Sequence, residues 1–464
     1  MNMKRSGSRV LVTYLFLLVT AGALAQNNTS ILITNLVNNA GTNYFVGNTG
    51  TNNLLTIRSG GVLTNVADAY VGNQTNAHFN RAVVTGGGSS WQISSNLYIG
   101  YASSGNSLII SNGSMVTAGL AIIWNNGVDN RLVVANNSTL STVNAYVGNS
   151  NNSSRVEVSD NSLWENNGWL FIGNLGSNCT LQVSGGSRLV SNTLLVAGYA
   201  SDHNSIIISN GSMVTAGASF IGDAGRDNRL VVADNSTLTT AGATFGNYNN
   251  NNAALITGGS LWQNNGALIV GNIGSNNTLV VSGGSRIVSN TSVIVGVVGR
   301  DDSVVVIGPG SLIQNSGSLV FGESGSGNSL AISNGATVRN GEAMIGQYGI
   351  NNSVVVDGSN SEWRNSGDLY IGWSGMSNAV TISNGGLVSN AIAYVGYSNA
   401  AVHNVVSVIG SGSVWQCSDN LVVGYRGSSN TLIIANGGVV SNQTSYVGQY
   451  SSNNVAVVNG AGSL

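Results

Sequence analysis

The chain has 464 residues, with 64 glycines, 1 proline and 2 cysteines, and only 7% of it is charged, for a net charge of −2. That charge fraction lies far below the roughly 25% of an ordinary soluble domain, and the balance excludes the basic footprint of a nucleic-acid binder. Because 42% of the residues are hydrophobic, the low-hydrophobicity composition of a disordered chain is excluded as well.

At the N-terminus, Lys4, Arg5 and Arg9 flank an apolar run over residues 10–23, which ends in the small-x-small triplet Ala23-Leu24-Ala25. This is the layout of a secretory signal peptide, with cleavage expected after Ala25. The run is short for a membrane span of about 20 residues. Residues 1–25 are read as signal peptide, 26–40 as a lead-in or cap, and 41–464 as one repeat array. Export permits disulfides, but Cys179 and Cys417 are distant in the chain, and distant residues of a repeat array do not meet. Two isolated thiols are expected.

A Tyr-Val-Gly motif and its variants place glycine at Gly47, Gly72, Gly100, Gly148, Gly173, Gly198, Gly222, Gly246, Gly271, Gly296, Gly322, Gly346, Gly372, Gly396, Gly424 and Gly448, with Trp124 in the place of one. The spacing of about 25 residues is that of a solenoid, propeller or array. One unit reads Leu97-Tyr98-Ile99 as a strand ended by Gly100, Tyr101 to Asn106 as a loop, Ser107 to Ser111 as a second strand with apolar alternation, Asn112-Gly113 as a turn and Ser114 to Thr117 as a third strand. No apolar stripe of helical period runs longer than a turn.

Two adjacent columns of the strand after the turn behave differently. One holds Leu63, Trp91, Val116, Leu140, Trp164, Leu189, Val214, Leu238, Trp262, Ile287, Ile313, Val338, Trp363, Val388, Trp415 and Val440 and is always apolar. The residue before it accepts Met115, Arg188, Met213, Arg286 and Glu362. Neighbours on a strand point to opposite faces, so the first column is assigned to the core and the second to solvent. Trp91, Trp164, Trp262, Trp363 and Trp415 are thus core residues rather than a sugar-stacking platform, and their indole N–H groups require internal partners. The stretch Ser111 to Gly119 recurs from Ser209, 98 residues on, as do Asn130 to Val134 and Ser162 to Trp164. Four units were copied as a block.

The paired pattern Val355, Asp357-Gly358, Ser361, Trp363, Asn365-Ser366-Gly367, Leu369-Tyr370-Ile371-Gly372, followed by Val380, Ile382-Ser383-Asn384-Gly385-Gly386 and Val388-Ser389-Asn390, resembles the repeats associated with type V secretion (autotransporter passengers) and with PEP-CTERM proteins. The resemblance covers nearly all of the chain after about residue 40. It implies an exported β-helix at the cell surface or in the extracellular matrix, anchored through a C-terminal barrel or a sorting tail. Neither ending is read here: Gly460-Ala461-Gly462-Ser463-Leu464 stops one residue before an expected core tryptophan, so a chain cut short is expected. The fold expected is all-β, a single-stranded right-handed parallel β-solenoid of about 25 residues per rung. The handedness is taken from the resemblance and from the bias of parallel crossovers.

Chemistry is sparse. Asp301-Asp302 after Arg300 is the densest acidic spot and is read as a solvated turn; Asp357 and Glu362 flank a turn without a neighbouring base. His78 and His403 sit in the two longest spacings, in loops that look alike, and His203 stands apart. No catalytic, cofactor-binding or metal-binding residue is assigned, and the chain is not expected to be an enzyme. The expected role is that of a surface-exposed or secreted repeat protein in adhesion or as a structural stalk. Its expected partner is a cell-surface or matrix polysaccharide or protein, with no nucleic acid, and the chain is expected to be a monomer. The alternatives are a polysaccharide-active β-helix lyase or hydrolase, which requires clustered carboxylates, and a spacer for a further C-terminal domain.

Overall fold

The computed structural model describes residues 27–65, 67–123, 127–150 and 153–464. The expected signal peptide and Trp124 lie outside the described residues. The rest is an all-β parallel solenoid of about 17 turns with about 25-residue spacing, as the repeat period requires. Among the described residues no helix is long and apolar enough to cross a membrane.

Each rung has three faces. The first face is an 18-stranded parallel sheet running from Ser30–Thr34 to Val455–Asn459. Its register follows the repeat: Ser107–Ser111 lies beside Arg131–Ala135 with Leu108 opposite Leu132 and Ile110 opposite Val134. The second and third faces merge where Met115–Ile123, Thr139–Val147, Arg188–Ala197 and Met213–Ile221 run through the corner unbroken. Elsewhere the corner breaks the strand, as between Leu261–Asn264 and Ala267–Val270. Gly266 makes that corner, because a β-carbon there would strike the Ala241 carbonyl oxygen. The segment read as a lead-in carries two strands of a rung, Ser30–Thr34 and Val37–Asn39, both paired in parallel with the rung that follows.

One apolar core fills the interior, and each face contributes alternate residues to it. The column expected inside is buried, from Leu63 and Trp91 at 0% exposure to Trp415 at 1%, with Val440 partly buried. The column expected outside carries Met115 and Met213 at 42% exposure; Leu312 is its buried exception. Full burial of one Val, Leu or Ile side chain contributes about 1.5–3 kcal/mol, and the columns repeat that contribution rung after rung. The five core tryptophans are each satisfied by the rung before: Trp91, Trp363 and Trp415 donate to Oδ1 of Asn65, Asn340 and Asn390, and Trp164 and Trp262 to Oγ1 of Thr142 and Thr240, at 2.8–3.0 Å.

Two polar ladders hold the turns. Serines before the second-face strand accept from the rung below, as where Ser138 N–H and Ser162 N–H donate to Ser162 Oγ and Ser187 Oγ at 3.2 and 3.1 Å. The second ladder precedes the first-face strand. Asn352 donates both its backbone N–H and its Nδ2–H to Asn378 Oδ1 at 2.9 and 3.1 Å, and Asn378 does the same to Asn404 Oδ1. The chain of bonds runs from Asn53 through Asn80 and Asn106 to Asn130, is interrupted by Ser154 and Cys179, and resumes from Asn204 to Asn454. This explains the motif glycine. Gly100, Gly198 and Gly372 have φ of 74–76°, and a β-carbon on any of them would strike the ladder asparagine of the next rung. The residue just before the ladder position is left-handed throughout, from Asn52 at φ 56° to Asn453 at φ 60°, a conformation that asparagine and glycine tolerate best.

Candidate binding surface on the third face

The acids and histidines singled out in the sequence do not assemble. Asp302 is not in a solvated turn: it is fully buried at 0% exposure, inside the asparagine ladder between Asn277 and Asn328. Its neighbour Asp301 is the exposed left-handed turn residue, at φ 56°. Asp357 accepts from Ser383 Oγ and Asn384 Nδ2 at 2.6 and 2.7 Å on the first face. Glu362 lies across the turn on the second face, paired twice with Arg364 at 2.8 Å. The loops of His78 and His403 are not equivalent. His403 is the left-handed turn residue, as His203 is, whereas in the first loop that position belongs to Phe79. His78 Nδ1 instead accepts the Ser104 N–H at 3.1 Å. Among the described residues no group of three or more His, Cys, Asp or Glu is placed to hold a metal ion.

Both cysteines are free and buried. Cys179 occupies a ladder position, and its Sγ donates to the Gly176 and Ser177 carbonyls at 3.6 Å. Burial pushes the Cys179 thiol up to about 11 and the Cys417 thiol up to about 12. Both therefore behave as small core residues rather than nucleophiles.

What does assemble is aromatic. The middle residue of each third-face strand lies on the side away from the core, where Tyr370, Val320 and Val422 are nevertheless covered, and the parallel register stacks these residues in a column. Near the N-terminus Phe45, Tyr70 and Tyr98 are adjacent in it. Their rings stack at 4.9 and 4.8 Å, and Tyr101 stands edge-on to Tyr98 at 5.2 Å. Near the C-terminus Tyr370 and Tyr394 stack at 5.1 Å with 8° between their planes. There a second row runs beside the first: Trp373 stacks on Tyr397 at 4.5 Å, Tyr397 stacks on Tyr425 at 5.2 Å, and Tyr450 ends the row edge-on at 5.4 Å. Tyr101 is 38% exposed and Tyr450 is 67% exposed. A shorter array lies between them, Tyr146 stacked with Phe171 at 5.4 Å.

Both major arrays carry the same carboxylate device. Asp68 Oδ1 accepts the Asn96 N–H at 3.0 Å and its Oδ2 accepts from Tyr70 Oη at 3.2 Å. Asp368 Oδ1 accepts the Ile392 N–H at 3.0 Å and its Oδ2 accepts from Tyr370 Oη at 3.4 Å. One oxygen fixes the corner of the next rung and the other orients the phenol. Burial first, and then the charge of the neighbouring aspartate, push the hydroxyls of Tyr70 and Tyr370 above their ordinary range, so both remain donors. Each array thus sets flat apolar rings beside hydroxyl donors and carboxylate acceptors, on a sheet whose rungs are about 4.8 Å apart.

The Tyr of the Tyr-Val-Gly marker is the residue that builds these arrays, and a reading for repeats treats it as punctuation. The available signal was vertical: Phe45, Tyr70 and Tyr98, and again Tyr370 and Tyr394, fall in successive units, whereas Thr244, Ile269, Ile294 and Val320 occupy the column between.

Comparison of the chain with family models, with curated proteins and with solved structures gives no match.

Proposed function

We propose that this chain is an exported, non-enzymatic repeat protein of the autotransporter-passenger or PEP-CTERM-associated kind, acting as an adhesin-like stalk that holds a polysaccharide along its third face. The observation that carries this reading is the pair of aromatic–carboxylate arrays on a rigid solenoid. Stacking turns most ring faces toward one another, so a sugar meets ring edges along the rows and the exposed rings of Tyr101 and Tyr450 at their sides and ends, with phenols and carboxylates beside them to take up its hydroxyls. A linear polymer laid along the axis meets the same groups at successive rungs, so weak contacts add as avidity. The solenoid supports this as a spacer: its 17 or so rungs extend on the order of 80 Å, and each rung is stabilised by its neighbours.

The test has two arms. Expressed from its own start in a Gram-negative host, the chain is expected to lose residues 1–25 and to become accessible to external protease. The purified chain is expected to be retained on at least one neutral or acidic polysaccharide in an immobilised panel and to leave its glycosidic bonds intact. Retention in the cytosol overturns the exported role, and cleavage of the polymer overturns the non-enzymatic one.

A further inference from the structure

Asp302 fills the position of a ladder asparagine but carries oxygen where its neighbours carry NH2. Its Oδ1 does what the ladder requires, accepting the backbone N–H of Asn277 at 2.8 Å and its Nδ2–H at 2.9 Å. Its Oδ2 is buried and has no hydrogen-bond partner. The neighbours show what that second atom faces. Nδ2 of Asn352, Asn378 and Asn404 donates to the carbonyls of Gly325, Gly349 and Gly375 at 3.2–3.3 Å. The same atoms donate to Oδ1 of the next ladder residue at 3.0–3.1 Å. A β-carbon built on Gly349 would meet Gly325 O, Gly322 O and Asn352 Nδ2; one built on Gly299 would meet Gly274 O, Gly271 O and Asp302 Oδ2. Asp302 Oδ2 therefore stands among acceptor oxygens, with Asn328 Oδ1 on its other side accepting the Asp302 N–H at 2.9 Å. An ionised carboxylate only accepts, whereas a protonated one has an O–H to give. An unpaired buried charge is strongly unfavourable.

We propose that Asp302 is a proton-dependent link in the stack: protonated, its Oδ2–H donates as an asparagine amide would, and ionisation breaks the ladder at this one rung and loosens the joint between the rungs on either side. Burial, the largest influence, raises this carboxyl from its ordinary 3.8 to about 7, the two bonds from Asn277 pull it down, and the Asp301 charge raises it. The charged groups of its own turn are Arg300 and Asp301, both exposed; the turns stacked on it bring Asn276 and Asn277 on one side and Gly327 and Asn328 on the other, none of which titrates. The sign follows. In the unfolded chain the carboxyl ionises near 3.8, so its contribution to stability is whole below that pH and is lost as the pH climbs to about 7.

The experiment compares the full chain with Asp302→Asn, which restores the residue that the ladder carries on both sides and is expected to fold. Amide hydrogen exchange over residues 271–280 and 299–303, expressed as the ratio of the two proteins so that intrinsic rates cancel, is expected to be equal at about pH 3, below the unfolded value of 3.8, and at least about tenfold faster in the native chain at about pH 9. A ratio that does not change with pH overturns the proposal. Infrared spectra of the native chain are expected to show a protonated-carboxyl band near about pH 5 that is missing from Asp302→Asn and fades through neutrality. Absence of that band at the acid end overturns it too.

Discussion

The two ends of the third face use one local device to different extents. The N-terminal array has one stacked row, Phe45, Tyr70 and Tyr98, with Tyr101 edge-on against it. The C-terminal array repeats the aspartate–tyrosine pair and adds a full second row, Trp373, Tyr397 and Tyr425, ending in Tyr450. The rungs between place Thr244, Ile269 and Ile294 in the same column. Beneath all three regions the interior hardly differs, with the same apolar columns and ladders continuing. The inside of each rung answers to its neighbours alone, whereas the outside differs from region to region, and the proposed recognition rests on that difference.

Substitutions can break or sharpen this contrast. The largest effect is expected inside. Trp363→Ala removes a fully buried ring and leaves Asn340 Oδ1 without its indole donor, and denaturant unfolding is expected to show a loss of about 3–5 kcal/mol. Next comes the ladder. Asn378→Leu leaves the Asn352 N–H without its acceptor and takes from Asn352 Nδ2 one of its two, the Gly325 carbonyl remaining, at roughly 1–3 kcal/mol for the buried N–H left unpaired, with hydrogen exchange accelerated around residue 352. Outside, Tyr397→Ala deletes stacked contacts with Trp373 and Tyr425, so stability is expected to fall by only about 1 kcal/mol while retention on polysaccharide drops sharply. Met115→Ser, at a position 42% exposed and away from either array, is expected to change stability by less than about 0.5 kcal/mol and retention not at all. Thiol labelling checks the interior independently. Cys179 and Cys417, with thiols pushed to about 11 and about 12, are expected to react at neutral pH only after unfolding.

Most of the scaffold was legible in the sequence because a solenoid repeats its code. The period, the strand after each turn and the burial of the five tryptophans follow from columns of like residues, which the register then stacks. Two things were hidden by reading along the chain rather than across it. Asp302 beside Asp301 looks like a solvated acidic pair; only its alignment with Asn277 and Asn328 shows that it is a ladder member. The tyrosines of the repeat marker look like punctuation; only adjacency in register turns Tyr370 and Tyr394 into a surface. The histidine loops failed for a related reason: their lengths match, but one residue of offset puts Phe79 and His403 at the same left-handed position.

On the function proposed, the scaffold and the recognition surface are separable. That separation is tested most directly by replacing Tyr394, Tyr397 and Tyr425 with alanine in one chain and measuring its retention on the polysaccharide that holds the native protein, together with its thermal melting. Retention weakened at least about tenfold, in a protein that keeps its β-rich circular dichroism and cooperative melt, is the result predicted here. Unchanged retention with the rings gone would contradict it.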